Sequence, residues 1–90
     1  MDPHGDEGMR MRLVATFFSH FGALRFRRLC RERGVAVELM PVPRSLSSSC
    51  GTCARFERTP LAEGEPWPGE VELVAEELPS GTFATLWAAD

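Results

Sequence analysis

Ninety residues with 43% hydrophobic side chains and a net charge of −3 fit one globular domain, and argue against a disordered chain or one with two separate cores. A domain this small buries only about two-thirds of its unfolded surface, which leaves little room for a deep enclosed catalytic cavity and points any chemistry to an exposed loop. All ten basic side chains are Arg, nine of them within residues 8–56, whereas residues 57–90 carry eight acids against Arg58; that acidic half would repel phosphate, so no nucleic-acid partner is expected.

The opening residues Met1 to Gly8 are acidic and glycine-rich, without the basic-then-apolar pattern of a secretory leader. Residues 1–10 are therefore expected to form a flexible tail, and residues 11–90 a single domain. The run Leu13 to Phe18 falls far short of the about 20 apolar residues a membrane span needs, so a soluble, cytoplasmic chain is expected.

Residues 12–18 are apolar and β-favouring without polar alternation, as in a central strand covered on both faces. Ser19 suits an N-cap and Gly34 a left-handed stop, which predicts a helix over His20 to Arg33. Ala23, Phe26, Leu29 and Cys30 share one helical stripe, so Cys30 is assigned to the core, and Arg25, Arg27, Arg28, Arg31 and Glu32 fan over the other side. Val35 to Met40 reads as a second strand stopped by Pro41 and Pro43. Ser45 to Ser49 favours a turn. Thr52 to Arg58 alternates with a period of two and predicts a third strand. Thr59 to Gly69, with three prolines and two glycines, predicts a surface loop in which the Trp67 ring lies over the core edge. Val71, Val74, Ala75 and Leu78 recur at helical spacing, which predicts a second helix over Glu70 to Leu78, and Thr82 to Trp87 predicts a last strand. The order β-α-β-β-α-β implies an α+β, ferredoxin-like two-layer sandwich with a four-stranded sheet and two helices.

Three cysteines, Cys30, Cys50 and Cys53, do not make a disulfide framework, so free thiol chemistry is the question they pose. The spacing Cys50-Gly51-Thr52-Cys53 fits a redox pair, half a zinc site, or one working thiol with a helper. Structural zinc needs about four ligands, and only Cys30 and the isolated His4 and His20 remain, so no metal is expected. Cys50 follows a run of small residues and is expected to project into solvent as an anion. In the expected topology the start of the first helix faces its loop, and Arg44 and the amides of Ser48, Ser49 and Gly51 lie close enough to stabilise the sulfur. His20 is a candidate proton shuttle, although a helix-start histidine is commonly just solvated. Cys53 either resolves an oxidised Cys50 or packs as a small hydrophobe.

Pro41-Val42-Pro43-Arg44 at a strand end, Ser48-Ser49-Cys50-Gly51 in the following loop, Ala23-Leu24 near the helix start and Gly34 at its stop together resemble the family of selenium/sulfur carrier-like proteins, with residues 12–58 matching that pattern. The resemblance implies that Cys50 holds a sulfane sulfur or selenium atom as a persulfide or selenopersulfide. It would receive that atom from a donor such as a cysteine desulfurase and pass it to an acceptor protein. Such a chain is a relay more than a stand-alone enzyme, with no further cofactor. The residues by themselves leave two other readings open: a thiol-disulfide protein cycling Cys50 and Cys53, and an accessory subunit with inert cysteines. Oligomeric state is left open by the sequence.

Overall fold

The computed structural model describes residues 11–90, so the expected tail over residues 1–10 lies outside the described residues. Five strands and one helix follow in the order β1 (Leu13–Phe17), α1 (His20–Glu32), β2 (Val37–Pro41), β3 (Thr52–Phe56), β4 (Val71–Glu77) and β5 (Phe83–Ala88). The strands form one sheet in the spatial order β2-β3-β1-β4-β5, and every neighbouring pair is antiparallel. β1 and β2 both run antiparallel to β3, so they are parallel to each other, and α1 makes the crossover between them. β1 is central and buried along all five residues, as its unbroken apolar run requires.

The helix forms where its boundary signals say it should. The Ser19 Oγ accepts the Gly22 amide at 3.2 Å. At the other end Gly34 adopts φ +71°, the Val35 amide reaches the Cys30 carbonyl and the Gly34 amide the Arg31 carbonyl, the paired bonds of a Schellman stop. Gly22, Ala23, Phe26 and Cys30 are buried against the sheet. Phe26 packs between Phe17 and Phe56 with ring centroids 5.4 and 5.1 Å away, and with Leu13, Ala15, Ala54, Val71 and Val74 these rings make the core. Alternate residues of the central strands, among them Val14, Thr16 and Cys53, lie on the sheet face away from α1.

The expected ferredoxin-like sandwich of four strands and two helices is not what forms. Residues 71–77 are a strand, so the sheet has five strands and α1 is the helix that covers it among the described residues. The apolar spacing that predicted a helix has its origin in the pairings of β4. Against β1, Thr16 faces Leu73 while Phe17 faces Val71, which leaves Glu72 as an extra residue; against β5, Val74 faces Trp87 while Ala75 faces Thr85, which leaves Leu86 as an extra residue. The Glu72 bulge puts Val71 and Val74 on the core face three positions apart, and Ala75, opposite Val14, is buried on the other face, so the buried residues of the strand recur at spacings of three and four that mimic a helical stripe. Among the described residues no second helix covers β4 and β5. The 57–70 loop instead brings Trp67 against Phe26, Phe56 and Trp87, each at 6.3 Å between ring centroids, which agrees with the core-edge position expected for that ring. Arg33 holds the loop at its far end, donating to the Pro60 carbonyl at 3.0 Å and pairing in a fork with Glu65.

Candidate functional site

The end of the sheet where β1 and β2 finish and β3 and β4 start is also the end where α1 begins. Pro41 closes β2, the Val42 amide reaches the Gly51 carbonyl at 3.1 Å, and the intervening residues bulge out as a loop carrying Cys50. Gly51 adopts φ +77°, a conformation that a side chain would strain, and this lets the chain re-enter the ladder at Thr52. The loop and the helix start are joined by His20 Nδ1 and Thr52 Oγ1, 3.2 Å apart.

Cys50 is half-buried at the edge of the core and not fully projected into solvent as the loop composition led us to expect. Its thiol lies 3.5 Å from the Thr52 carbonyl, to which it donates. The Cys50 amide donates to Ser48 Oγ at 3.3 Å, and the same hydroxyl lies 3.9 Å from Cys50 Sγ and 3.5 Å from the Phe17 carbonyl. One hydroxyl proton serves both acceptors in turn. A thiolate, which no longer donates to Thr52, would draw that proton to itself.

The other thiols are placed differently. Cys30 and Cys53 are fully buried, and burial pushes each thiol from the ordinary 9.0 up to about 11; for Cys53 the charge of nearby Cys50 adds a smaller push in the same direction. Cys53 donates to the Pro41 carbonyl at 3.7 Å and faces Thr16 and Met40 across the strands, on the sheet face away from the core cluster that Cys50 touches.

The structure brings Ser48 directly to the Cys50 sulfur. It brings His20 only as far as Thr52, two residues along the chain from Cys50. Arg44 stands exposed in the turn after β2, in which the Leu46 amide reaches the Pro43 carbonyl at 3.0 Å; no bond joins Arg44 to Cys50 among the described residues. The Ser49 amide, expected to help hold the sulfur anion, is taken by Glu72, whose Oε1 accepts it at 3.1 Å while Oε2 accepts the Ser49 hydroxyl at 2.7 Å. Glu72 is the extra residue of the β4 bulge and also accepts from the buried Thr16 hydroxyl at 3.5 Å. This carboxylate, which moors the Cys50 loop to the sheet, was missed by sequence reasoning. An open hollow of about 420 Å³ lies beside the mooring, between Ser47 to Ser49, Glu72, Leu73 and Ala88. Among the described residues no group of three or more His, Cys, Asp or Glu is arranged to hold a metal ion, and no helix is long and apolar enough to cross a membrane.

A family model described as putative Se/S carrier protein-like matches residues 12–65, from the first strand through the Cys50 loop and into the long loop after β3. No curated protein and no solved structure matches the chain.

Proposed function

The chain belongs to this Se/S carrier protein-like family, and from that premise we propose that it relays a sulfane sulfur or selenium atom held on Cys50. The observation that supports this reading is the contrast between the three thiols. Cys30 and Cys53 are sealed from solvent and held protonated, whereas Cys50 is partly open, in a loop, with a hydroxyl beside its sulfur.

In the proposed step the Cys50 thiolate attacks the outer sulfur of a donor persulfide. A new S–S bond forms on Cys50, the donor's S–S bond breaks, and the donor leaves as a thiolate that takes up the proton Cys50 gave away. The transferred atom keeps its oxidation state, so no separate oxidant or reductant enters. Attack by an acceptor thiolate on the Cys50 persulfide repeats the exchange and discharges the carrier. A selenium atom follows the same course in the outer position. Ser48 supports the charged states by turning its hydroxyl to the sulfur, and Glu72 supports Ser48 by fixing the neighbouring Ser49. A cysteine desulfurase is the donor class proposed, with a biosynthetic protein as acceptor and a reducing cytoplasm as the compartment that keeps these thiols free.

The test is to incubate the reduced protein with a cysteine desulfurase and cysteine, then measure intact mass and map the modified peptide. One added sulfur on Cys50 is expected, retained in Cys53→Ser and lost in Cys50→Ser. Loss of a hydrogen pair with Cys50 linked to Cys53 would establish a redox protein in its place, and an unchanged mass would end the carrier reading.

A further inference from the structure

Five large hydrophobic side chains stand exposed among the described residues, and three of them, Phe18, Phe21 and Leu24, fall within seven positions where α1 begins. Phe21 is 63% exposed, more than any other large hydrophobic side chain of the described chain. Beside it an open hollow of about 460 Å³ is lined by Phe21, Leu24, Arg25, Arg28, Leu29 and Glu32. Clustered apolar side chains rimmed by charge are the usual composition of a protein-binding surface, where aromatic residues and Arg are enriched.

The rim is mainly basic. Across the helix the basic residues are Arg25, Arg27, Arg28 and Arg31, and the single acid is Glu32. The Arg25 guanidinium sits 5.2 Å above the Phe21 ring and 3.5 Å from Glu70, and Arg28 lies 3.4 Å from Glu32. Both ion pairs are largely exposed, so they are weak and readily exchanged for a partner's carboxylates. The apolar side chains of Phe21, Leu24 and Leu29 at the centre of the hollow favour a protein partner over RNA. The face also adjoins the thiol, because the residue before Phe21 is the His20 bonded to Thr52, and Thr52 accepts the Cys50 thiol.

We propose that this face docks an acidic segment of the protein that delivers the sulfane atom, with an apolar side chain seated beside Phe21 and carboxylates on the arginine rim. The proposal rests on the carrier reading for the cargo, though the docking itself does not depend on transfer. A partner seated there lies alongside the Cys50 loop, and the positive rim raises the encounter rate with an acidic donor at low ionic strength.

Two assays decide it. In the first, a fluorescent peptide of Glu and Leu residues with a central Ser is titrated with the Cys50→Ser protein, beside a Lys-for-Glu counterpart and a single-stranded RNA. The acidic peptide is expected to bind at least about tenfold tighter than the basic one, with the difference shrinking in high salt and in Phe21→Asp and Arg28→Glu, both surface changes whose folding is checked by circular dichroism. Equal binding of the two peptides, or indifference to both substitutions, overturns the proposal. RNA that binds the same face and is lost in the same variants also overturns it. In the second, the acidic peptide carrying a Cys persulfide and glutathione persulfide are compared as donors to the wild-type chain. Phe21→Asp should slow loading from the peptide about tenfold and leave loading from glutathione persulfide unchanged, and equal slowing of both would count against docking. If glutathione persulfide fails to load Cys50 at all, the carrier reading fails, and the titration still decides the docking face on its own.

Discussion

At the scale of single residues, the three cysteines divide by burial. Their spacing in the sequence allowed Cys50 and Cys53 to act as a pair; in the fold Cys53 is sealed inside β3 while Cys50 in its loop stays partly open. Iodoacetamide at neutral pH is therefore expected to modify Cys50 first, leaving Cys30 and Cys53 intact in the folded chain, as peptide mapping over time would show. Equal modification of all three would mean that the two buried thiols are not protected. The same burial gives a pH dependence. Between pH 9.0 and about 11 the native chain keeps protons on Cys30 and Cys53 that the unfolded chain releases, so rising pH favours unfolding through that window and has no such effect below it. The urea midpoint should fall between about pH 8 and about pH 10, and by less in Cys53→Ala once its own baseline is matched. Glu72 was not legible beforehand. It is one of four acids in the 70–77 stretch, and its partner Ser49 lies 23 positions away in the chain, a separation that no local pattern spans. Glu72→Ala should cost roughly 1–2 kcal/mol through the lost charge-assisted bonds and speed amide exchange at Ser49. Exchange at Ser49 that stays slow would show that the loop is held by something else.

At the scale of elements, local signals were read correctly where one residue decides one feature. Ser19, Gly34 and the stripe of Ala23, Phe26 and Cys30 act through bonds and contacts only a few positions apart, and they mark the helix whatever the rest of the chain does. β4 could not be read that way. Its bulge at Glu72 is a relation to β1, so its period of two is broken by a partner that periodicity does not see. The acids at the start of the segment have other partners: Glu72 moors the Cys50 loop, and Glu70, just before the strand, pairs with Arg25 of the helix. The approach of α1 to Glu70, the residue before that strand, gives a test of the observed topology. A Cβ built on Gly22 would lie 2.7 Å from the Glu70 Cβ, so the helix and the entry to β4 approach more closely than an alanine allows. Alanine in a helix gains about 1 kcal/mol over glycine, yet Gly22→Ala should be destabilising by roughly 1–2 kcal/mol net, because overpacking against backbone-proximal atoms outweighs that gain. A thermal melt in which Gly22→Ala is more stable than wild type would contradict the placement of α1 against Glu70.

At the scale of the whole molecule, the one helix among the described residues covers only part of a five-stranded sheet, with α1 packing on β1, β2 and β3. A loop must therefore do over the remaining strands what a second helix does in a two-helix sandwich. Trp67 does so by bridging the two halves: its ring meets Phe26 of the helix, Phe56 of β3 and Trp87 of β5, which joins the aromatic core under α1 to the outermost strand. A loop can take this part because Pro66 and Pro68 stiffen the backbone on either side of the ring and so reduce the entropy lost in ordering it. The Arg33–Glu65 fork holds the same segment to the end of α1. The arrangement leaves the Cys50 end free, since the loop lies over the core and towards the helix C-terminus while the thiol loop emerges beside the helix start. Trp67→Ala is thus expected to cost roughly 2–4 kcal/mol, most of the usual loss for a core aromatic, and to act on stability without acting on the thiol. Urea unfolding followed by far-ultraviolet circular dichroism should show the midpoint falling. Below the transition, alkylation of Cys50 should proceed at the wild-type rate. A large change in that rate with little change in the midpoint would mean that the ring supports the thiol loop and not the join between the two halves of the sheet.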